Sequence, residues 1–335
     1  MTQQQGFQPS FVELALKARS VILLGCGGGG DVVQTIPVLN FLRQVGVKQF
    51  CLANMGGKWW GGELGFGCEV LNLDWLSAST RLGRHAALVS PDTVITSGRG
   101  KGERPHEAVL ALETGLPSAT IDLAGGLPGV VAGLRALTEY VRADLLVVVD
   151  IGSDSFYSGE ETTVQSPLID ALSLCAATSL SIPAAFGLVG YGCDAEMPLA
   201  HLHRNVGRAM QQGGFLGAYG ITRQDAADLK RILDHFPLAD IETRPYKAAQ
   251  GVLGSFYCKR FWAIEILPLA AIVLFFDPQI IVDYINPLPN AIGQTRTLAE
   301  AEEAIMRHGL FPETRLPQVI SAPTAPQVAD ANSAQ

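Results

Sequence analysis

The chain has 335 residues, of which 48% are hydrophobic and 17% are charged, and its formal net charge is −8 at pH 7. A chain of this length and composition can bury a large hydrophobic core. The acidic balance argues against nucleic acid as a partner, because neutralising phosphates needs a basic face, but it leaves open a phosphate ligand held by backbone amides.

Short apolar runs alternate along the chain with amphipathic helical stretches. Continuous apolar strands that alternate with helices are typical of a mostly parallel sheet covered on both faces. We therefore predict a three-layer α/β fold with a doubly wound, Rossmann-like sheet. In chain order, the predicted elements are a strand at 20–24, a helix at 31–44, strands at 49–53, 93–96 and 119–123, a helix at 127–141, a strand at 145–150, a helix at 166–178 capped by Ser166, a strand at 184–189, and helices at 198–212, 222–236 and 298–308.

The most apolar stretch of the chain is the segment 261–276, which Glu265 and Pro268 interrupt. It is shorter than the roughly 20 residues that a membrane-spanning helix needs. Two buried strands joined by a turn are predicted there instead, and we expect no membrane partner.

Domain organisation and compartment follow from composition. No linker-like stretch is found before residue 317, so residues 1–316 are predicted to form a single elaborated α/β domain, and the Pro-, Ala-, Ser- and Gln-rich segment 317–335 is predicted to be disordered.

The six cysteines form no C-x-x-C pair, and the polar start of the chain lacks the features of a secretory leader. Reduced thiols and a cytoplasmic protein are expected. The apolar fraction is compatible with a homo-oligomer.

A glycine-rich loop runs from Gly25 to Asp31, between a predicted strand and a predicted helix. Glycines let a ligand approach the backbone closely, and the helix start that follows offers free N–H groups to a phosphate or carboxylate. The spacing is neither a clean G-x-G-x-x-G fingerprint nor a P-loop, and the alternative is a tight turn with Asp31 as the helix cap. The predicted ligand-binding residues of this loop are Gly27, Gly28, Gly29 and Gly30.

Two further loops bring glycine and carboxylate to strand ends, after the strands 145–150 and 184–189. Ligands of open parallel sheets bind outside the carboxyl ends of the strands, so these loops are expected to share one small-ligand site. Several carboxylates there suggest a divalent cation such as Mg or Mn, a cationic substrate group, or a general base; the alternative for each acid is a structural cap. The predicted catalytic residues are Asp31, Asp150 and Asp154, the predicted metal ligands are Asp154, Asp194 and Glu196, and Ser153 and Tyr191 are predicted to bind the ligand.

Two other loops are weaker candidates. Arg99 and Lys101 alternate with glycines in a segment that is predicted either to close over an anionic ligand or to be an ordinary surface loop. Trp59 and Trp60 lie between glycines, where they are predicted to stack on a ligand, to cover the site or to pack against a partner subunit. Cys26 lies in the first glycine loop, but no neighbouring histidine supports a thiol nucleophile.

Taken together, these loops resemble the family called domain of unknown function 1152. The resemblance covers residues 21–311 and is weakest between residues 51 and 111, so the loops of Trp59 and Arg99 are expected to be particular to this protein. The family's VDxGGD stretch has Ser153 at its second glycine here. The resemblance implies an α/β fold but names no substrate. Its motifs are 25–33 (GCGGGGDVV), 149–154 (VDIGSD), 166–171 (SPLIDA), 187–196 (GLVGYGCDAE), 213–218 (GGFLGA) and 275–278 (FFDP).

Two functions from different classes fit these observations. The leading hypothesis is an enzyme of unassigned reaction, with metal-assisted transfer, ligation or hydrolysis of a small polar metabolite fitting best. The alternative is a non-catalytic sensor or accessory subunit of a biosynthetic enzyme, which would bind a ligand with the same loops and release it unchanged.

Overall fold

The computed structural model describes residues 8–62, 65–237, 239–257 and 263–315. The predicted disordered segment 317–335 and Cys258 lie outside the described residues. The strands are β1 (Ser20–Gly25), β2 (Gln49–Met55), β3 (Gly57–Gly62), β4 (Gly65–Val70), β5 (Ser79–Arg81), β6 (Ala86–Val89), β7 (Ser118–Ile121), β8 (Leu145–Ile151), β9 (Ala184–Val189), β10 (Phe215–Gly220), β11 (Gly254–Tyr257), β12 (Ala263–Ile266) and β13 (Ile272–Phe276). The α-helices are α1 (Phe11–Lys17), α2 (Thr35–Gln44), α3 (His106–Thr114), α4 (Gly126–Val141), α5 (Pro167–Thr178), α6 (Leu199–Gln211), α7 (Arg223–Leu233), α8 (Arg244–Ala249), α9 (Pro278–Tyr284), α10 (Leu288–Ile292) and α11 (Leu298–Arg307).

The main sheet of the described chain has the strand order β10-β13-β9-β8-β1-β2-β7-β6-β5. Its five central strands, from β9 to β7, are parallel to one another, and antiparallel pairs extend the sheet at both sides. Two small ribbons, β3–β4 and β11–β12, lie outside the main sheet. The predicted doubly wound sheet with a mostly parallel centre is confirmed.

Helices cover both faces of the sheet. All six residues of β1 are buried, because the strand has a helical layer on either side. Ile22 and Leu24 belong to a core that includes residues of α4, α5, α6, α9, α10 and α11. Val21 and Leu23 belong to the opposite core, with residues of α1, α2, α3 and α7. The two cores confirm the three-layer arrangement.

The chain reverses its direction of travel across the sheet at β1. It leaves β1 through α2 to β2 on one side, and it later returns through α4 to β8, which pairs with the other side of β1. The connections that follow β1 and β8 therefore run towards opposite sides of the sheet. Ligands of open α/β sheets bind at such a point, outside the carboxyl ends of the strands. The loop after β1 also contacts β8 directly, because the Cys26 N–H donates to the Val149 carbonyl at 2.8 Å.

Two predicted elements differ from the structure. The predicted strand 93–96 is an irregular segment with a single bridge between Ile95 and Leu76, because Ile95 exchanges its other backbone bonds with the loop at Gly102 and Glu103. The predicted helix at 31–44 begins only at Thr35, after a short 3₁₀ turn at Gly29–Val32 that includes the last two glycines of the loop.

The apolar segment 261–276 contains β12 and β13, separated by a 3₁₀ turn at Pro268–Ala271. The predicted strand–turn–strand arrangement is thus found for its described part. The two strands do not pair with each other, since β12 joins β11 and β13 joins the main sheet. Within the described ranges, no helix combines the length and the apolar character that crossing a bilayer requires.

Candidate functional site

Three buried carboxylates converge where the chain changes direction. Asp31 follows the glycine loop after β1, Asp150 lies near the end of β8, and Asp170 lies in the first turn of α5. One oxygen of each carboxylate lies within 4.8 Å of the others. Asp31 is 6% exposed, and Asp150 and Asp170 are each 2% exposed. We call these three residues the aspartate triad; it is the group that could hold a metal ion among the residues that the structure describes.

The triad contains carboxylate oxygens without a partner. Asp31 is fixed by the backbone, because its Oδ2 accepts from the Gly27 N–H at 2.7 Å and its Oδ1 accepts from the Ile151 N–H at 3.3 Å. Oδ2 of Asp150 and Oδ1 of Asp170 are buried and accept no hydrogen bond from any described residue. Buried oxygens are normally bonded, so these two are candidates for binding a ligand atom.

The triad is electrostatically costly in the absence of a cation. Burial, followed by repulsion from neighbouring carboxylates, raises the pKa values of Asp31, Asp150 and Asp170 well above the ordinary aspartate range. None of the ion pairs recorded in the described chain involves a triad residue, so no Lys or Arg compensates this charge through such a contact. A bound cation would remove the cost.

Helix α5 is held from a distant part of the chain. The Glu313 carboxylate accepts the N–H groups of Leu168 at 3.1 Å and Ile169 at 2.7 Å, and thereby satisfies the first turn of the helix that carries Asp170. Burial raises the pKa of Glu313 to about 7. Ser166 was predicted to cap this helix, but its side chain makes no cap bond and instead donates to Asp154, because Glu313 already serves the N–H groups.

The predicted metal ligands lie next to the triad but are engaged with the protein. Asp154 accepts from Ser166 Oγ at 2.7 Å, and its carboxyl group also shares a hydrogen bond with that of Asp170. Both oxygens of Asp194 accept from Ser153 Oγ at 2.8 Å. Oε2 of Glu196 accepts the N–H groups of Gln165 at 2.6 Å and Ser166 at 3.0 Å. Within the triad, the oxygens without a partner belong to Asp150 and Asp170, whereas those of Asp31 accept from the backbone.

The glycine loop is covered by a tryptophan. Trp59, which the sequence placed in a loop, lies in β3, and its Nε1–H donates to the Gly27 carbonyl at 3.1 Å. A Cβ at Gly29 would lie 2.5 Å from Cδ1 of Trp59, and one at Gly30 would lie 2.3 Å from Cγ of Glu242. Close packing thus explains why these positions are glycine.

The predicted amide donors of this loop divide into two kinds. The N–H of Gly27 is already bonded to Asp31. The N–H groups of Gly28, Gly29 and Gly30 donate to no described residue, as expected for the first turn of the 3₁₀ helix that they open. Gly28 and Gly29 lie close to the Trp59 ring, and Gly30, the neighbour of Asp31, lies against the Glu242 side chain.

Three predicted ligand-binding residues lie outside the triad. Arg99 places its guanidinium over the Trp60 ring, with Cζ at 4.4 Å from the centroid, and Lys101 is exposed in the same loop. The Tyr191 ring is buried and stacks on His203 at 5.6 Å, and burial raises its pKa to about 12. None of the contacts recorded for the described chain joins these side chains to the triad.

Sequence reasoning missed Asp170 as a site residue. Its signal was a single carboxylate in a helix start that is otherwise apolar, within a segment whose residues 167–174 are all buried. A charged side chain that is buried among apolar residues needs a partner, and this requirement marks Asp170 as a candidate site residue. Cys26 lies in the same region, but burial raises its thiol pKa well above the ordinary value, which disfavours a thiolate nucleophile.

Comparison with known proteins gives one match. The model of a family described as "Protein of unknown function (DUF1152)" matches residues 22–319. No curated protein and no solved structure matches the chain. The match includes all three triad residues and Glu313.

Proposed function

The chain belongs to the DUF1152 family, whose description names no activity. From the geometry of the site we propose that it is an enzyme that acts on a small phosphate- or carboxylate-bearing metabolite through a divalent cation. The cation would be held by Asp31, Asp150 and Asp170. Two observations support this proposal: the three carboxylates each bring an oxygen within 4.8 Å of the others, and Asp150 and Asp170 each have a buried oxygen without a hydrogen-bond partner among the described residues.

The chemistry of the donor set favours a hard cation. The triad offers only carboxylate oxygens, which Mg²⁺ and Mn²⁺ prefer, and it contains no histidine or thiolate that would favour zinc. A cationic substrate group is the other ligand that this charge could bind. We favour a metal because the three oxygens converge from different elements on one point, as metal ligands do.

Neighbouring groups suggest how such a site would work. A bound divalent ion polarises a phosphoryl or carbonyl oxygen and lowers the pKa of a coordinated water. Asp154 adjoins the triad, and burial raises its pKa well above the ordinary range, which suits a group that takes up and returns a proton. The N–H groups of Gly28, Gly29 and Gly30 would bind an anionic group of the metabolite.

The second candidate is a non-catalytic sensor or accessory subunit. It is favoured by one observation, the Trp59 side chain that bonds to Gly27 and covers the glycine loop. A ligand that displaces Trp59 would change the position of the β3–β4 ribbon, and a partner protein could detect that change. The same site geometry serves both candidates, so only chemical conversion of the ligand separates them.

Cellular context is part of the proposal. We place the protein in the cytoplasm, where a buried and unpaired set of thiols is ordinary; Cys26, Cys51, Cys68 and Cys193 are free and buried. Its proposed partner is a small molecule rather than nucleic acid or a membrane, and a homo-oligomer is compatible with this function.

A turnover assay tests the proposal. The protein is incubated with Mn²⁺ and a panel of phosphate- and carboxylate-bearing metabolites, with and without ATP, and products are read by mass spectrometry. We expect metal-dependent conversion that falls roughly 100-fold or more in Asp154→Asn. The matched control is Asp92→Asn, at an exposed acid away from the triad. A ligand that binds and is recovered unchanged would favour the sensor instead.

A further inference from the structure

The aspartate triad and the glycine amides beside it are buried. Each triad residue is at most 6% exposed, and the segment 27–30 is buried along its whole length. A ligand can reach this site only after some part of the protein that covers it has moved. Trp59 of β3 covers Gly29, and Glu242 covers Gly30. These two parts of the cover differ in how they are held.

The Glu242 side of the cover is held by a buried arginine. Arg244 donates to Asp240 at 2.8 Å and also to the Cys193 carbonyl. Gln34, which is fully buried, donates from Nε2 to the Glu242 carbonyl at 2.8 Å. Opening on this side would break the bonds of a buried charged group, which cost more to break than neutral ones.

The Trp59 side of the cover is the β3–β4 ribbon, whose two strands form a sheet of their own. On its outer side, Lys58 forms an ion pair with Glu103, and the Glu69 carboxylate accepts the Arg99 N–H at 2.6 Å. Exposed contacts of this kind are weak. The ribbon is therefore the part of the cover that separates at the lower cost.

One residue joins this ribbon to the helix that carries Asp170. Trp59 of β3 lies directly opposite Cys68 of β4, and the Cys68 N–H donates to the Glu313 carbonyl at 2.8 Å. The carboxylate of the same Glu313 accepts the N–H groups at the start of α5. Glu313 is 3% exposed. Its backbone thus holds the strand paired with Trp59, and its side chain holds the helix of a triad residue.

We infer that the β3–β4 ribbon is a gate that opens to admit ligands to the triad, and that Glu313 is the latch that holds it closed. Opening separates the Trp59 ring from the glycine loop and exposes Cys68, which is fully buried against Gly57 in the closed form. The inference rests on the proposed function for the identity of the ligand, whereas opening itself is a property of the metal-free protein.

Cys68 reports the opening directly. Burial raises the pKa of its thiol well above the ordinary value, so it reacts with iodoacetamide only when exposed. Cys51 of β2 is the internal control, because it is equally buried, has a pKa raised to about 12, and lies in a central strand of the main sheet.

The whole, metal-free chain is alkylated at pH 8 in increasing low concentrations of urea, and each cysteine is read by peptide mass spectrometry. We expect Cys68 to react roughly tenfold or more faster than Cys51. Its rate is also expected to depend less on urea, because local opening exposes less surface than global unfolding does.

Three variants separate local opening from unfolding. Glu313→Gln is expected to accelerate both thiols roughly tenfold, since its bonds are lost in either event. Ile232→Val, in the core on the opposite face of the sheet, is expected to accelerate Cys51 about fivefold and leave Cys68 unchanged, because its packing survives opening of the gate. Glu303→Gln, at an exposed acid, is the matched control and is expected to change neither rate.

The role in ligand access is tested by the kinetics of Mn²⁺ binding. The observed rate is expected to level off as the Mn²⁺ concentration rises, at a limit that Glu313→Gln raises roughly tenfold, because opening precedes binding. A limit that Glu313→Gln leaves unchanged would overturn the gate.

Two further outcomes distinguish the gate from the metal. Equal rates and equal urea dependence of Cys68 and Cys51 in the wild-type protein would overturn the inference, whether or not Glu313→Gln folds, even if Mn²⁺ binds at the triad. Local exposure of Cys68 in a protein that binds no Mn²⁺ would uphold the opening of the ribbon and reject the proposed function.

Discussion

Mn²⁺ at about 100 times its dissociation constant is expected to raise the midpoint of thermal unfolding by roughly 5 °C. A ligand that binds only the folded state at this concentration adds about 2.7 kcal/mol, and a chain of this size gains roughly 2 °C for each kcal/mol. The gain arises because the ion occupies the unpartnered oxygens of Asp150 and Asp170. Differential scanning calorimetry at pH 7.5, with Mn²⁺ and with EDTA, measures it.

Asp170→Asn is expected to abolish this rise. The substitution keeps the size of the side chain but removes one of the three carboxylates, and the helix that carries it stays anchored by Glu313. Asp92→Asn, which changes an exposed acid, is expected to keep the full rise. An equal rise in the wild-type protein and in Asp170→Asn would show that Mn²⁺ binds elsewhere, and the triad would lose its proposed role.

Asp150→Asn is expected to stabilise the metal-free protein by about 1–3 kcal/mol at pH 8, which is the cost of a buried group without its partner. Burial and neighbouring carboxylates raise the pKa of Asp150 in the folded state above its value in the unfolded chain. The folded protein therefore binds more protons between these two pKa values, and the wild-type stability falls as the pH rises through that interval. Asparagine does not titrate, so the advantage of Asp150→Asn grows with pH and vanishes near pH 4.

Urea unfolding in EDTA at pH 4.5, 6 and 8 measures this difference in free energy. With Mn²⁺ present the order is expected to reverse, because the wild-type carboxylate then holds a cation and asparagine does not. Asp92→Asn serves as the control and is expected to follow the wild-type protein at every pH. A destabilising effect of Asp150→Asn in EDTA at pH 8 would mean that the buried charge is already compensated within the metal-free protein.

Much of this architecture could be predicted because buried parallel strands have a simple sequence pattern. The run 145–149 is apolar on both faces and is followed by an acid, which predicts both the strand and the position of Asp150 near its carboxyl end. Parallel strands end at a common edge, so the meeting of Asp31 with Asp150 followed from the same pattern. The family resemblance drawn from these loops is confirmed by the match over residues 22–319.

The parts that could not be predicted depend on contacts between distant segments. Asp170 reaches the site from a helix, and Glu313 anchors that helix from 144 or more residues away. The pairing of the Trp59 strand with β4 and its position over Gly27 also result from tertiary packing. The spacing of residues along the chain carries no information about such contacts. The amide of Gly27 is a different case: it was predicted to bind a ligand, but its N–H donates to Asp31, only four residues away in the sequence.

The proposed metal site can be observed directly by anomalous diffraction from crystals of the whole chain soaked in Mn²⁺. We expect one strong peak with an oxygen of each of Asp31, Asp150 and Asp170 at roughly 2.0–2.6 Å, the range of hard divalent cations. Crystals of Asp170→Asn soaked in the same way are expected to lack that peak. Anomalous peaks at exposed acids alone, with none between the three triad carboxylates of the wild-type protein, would contradict the account.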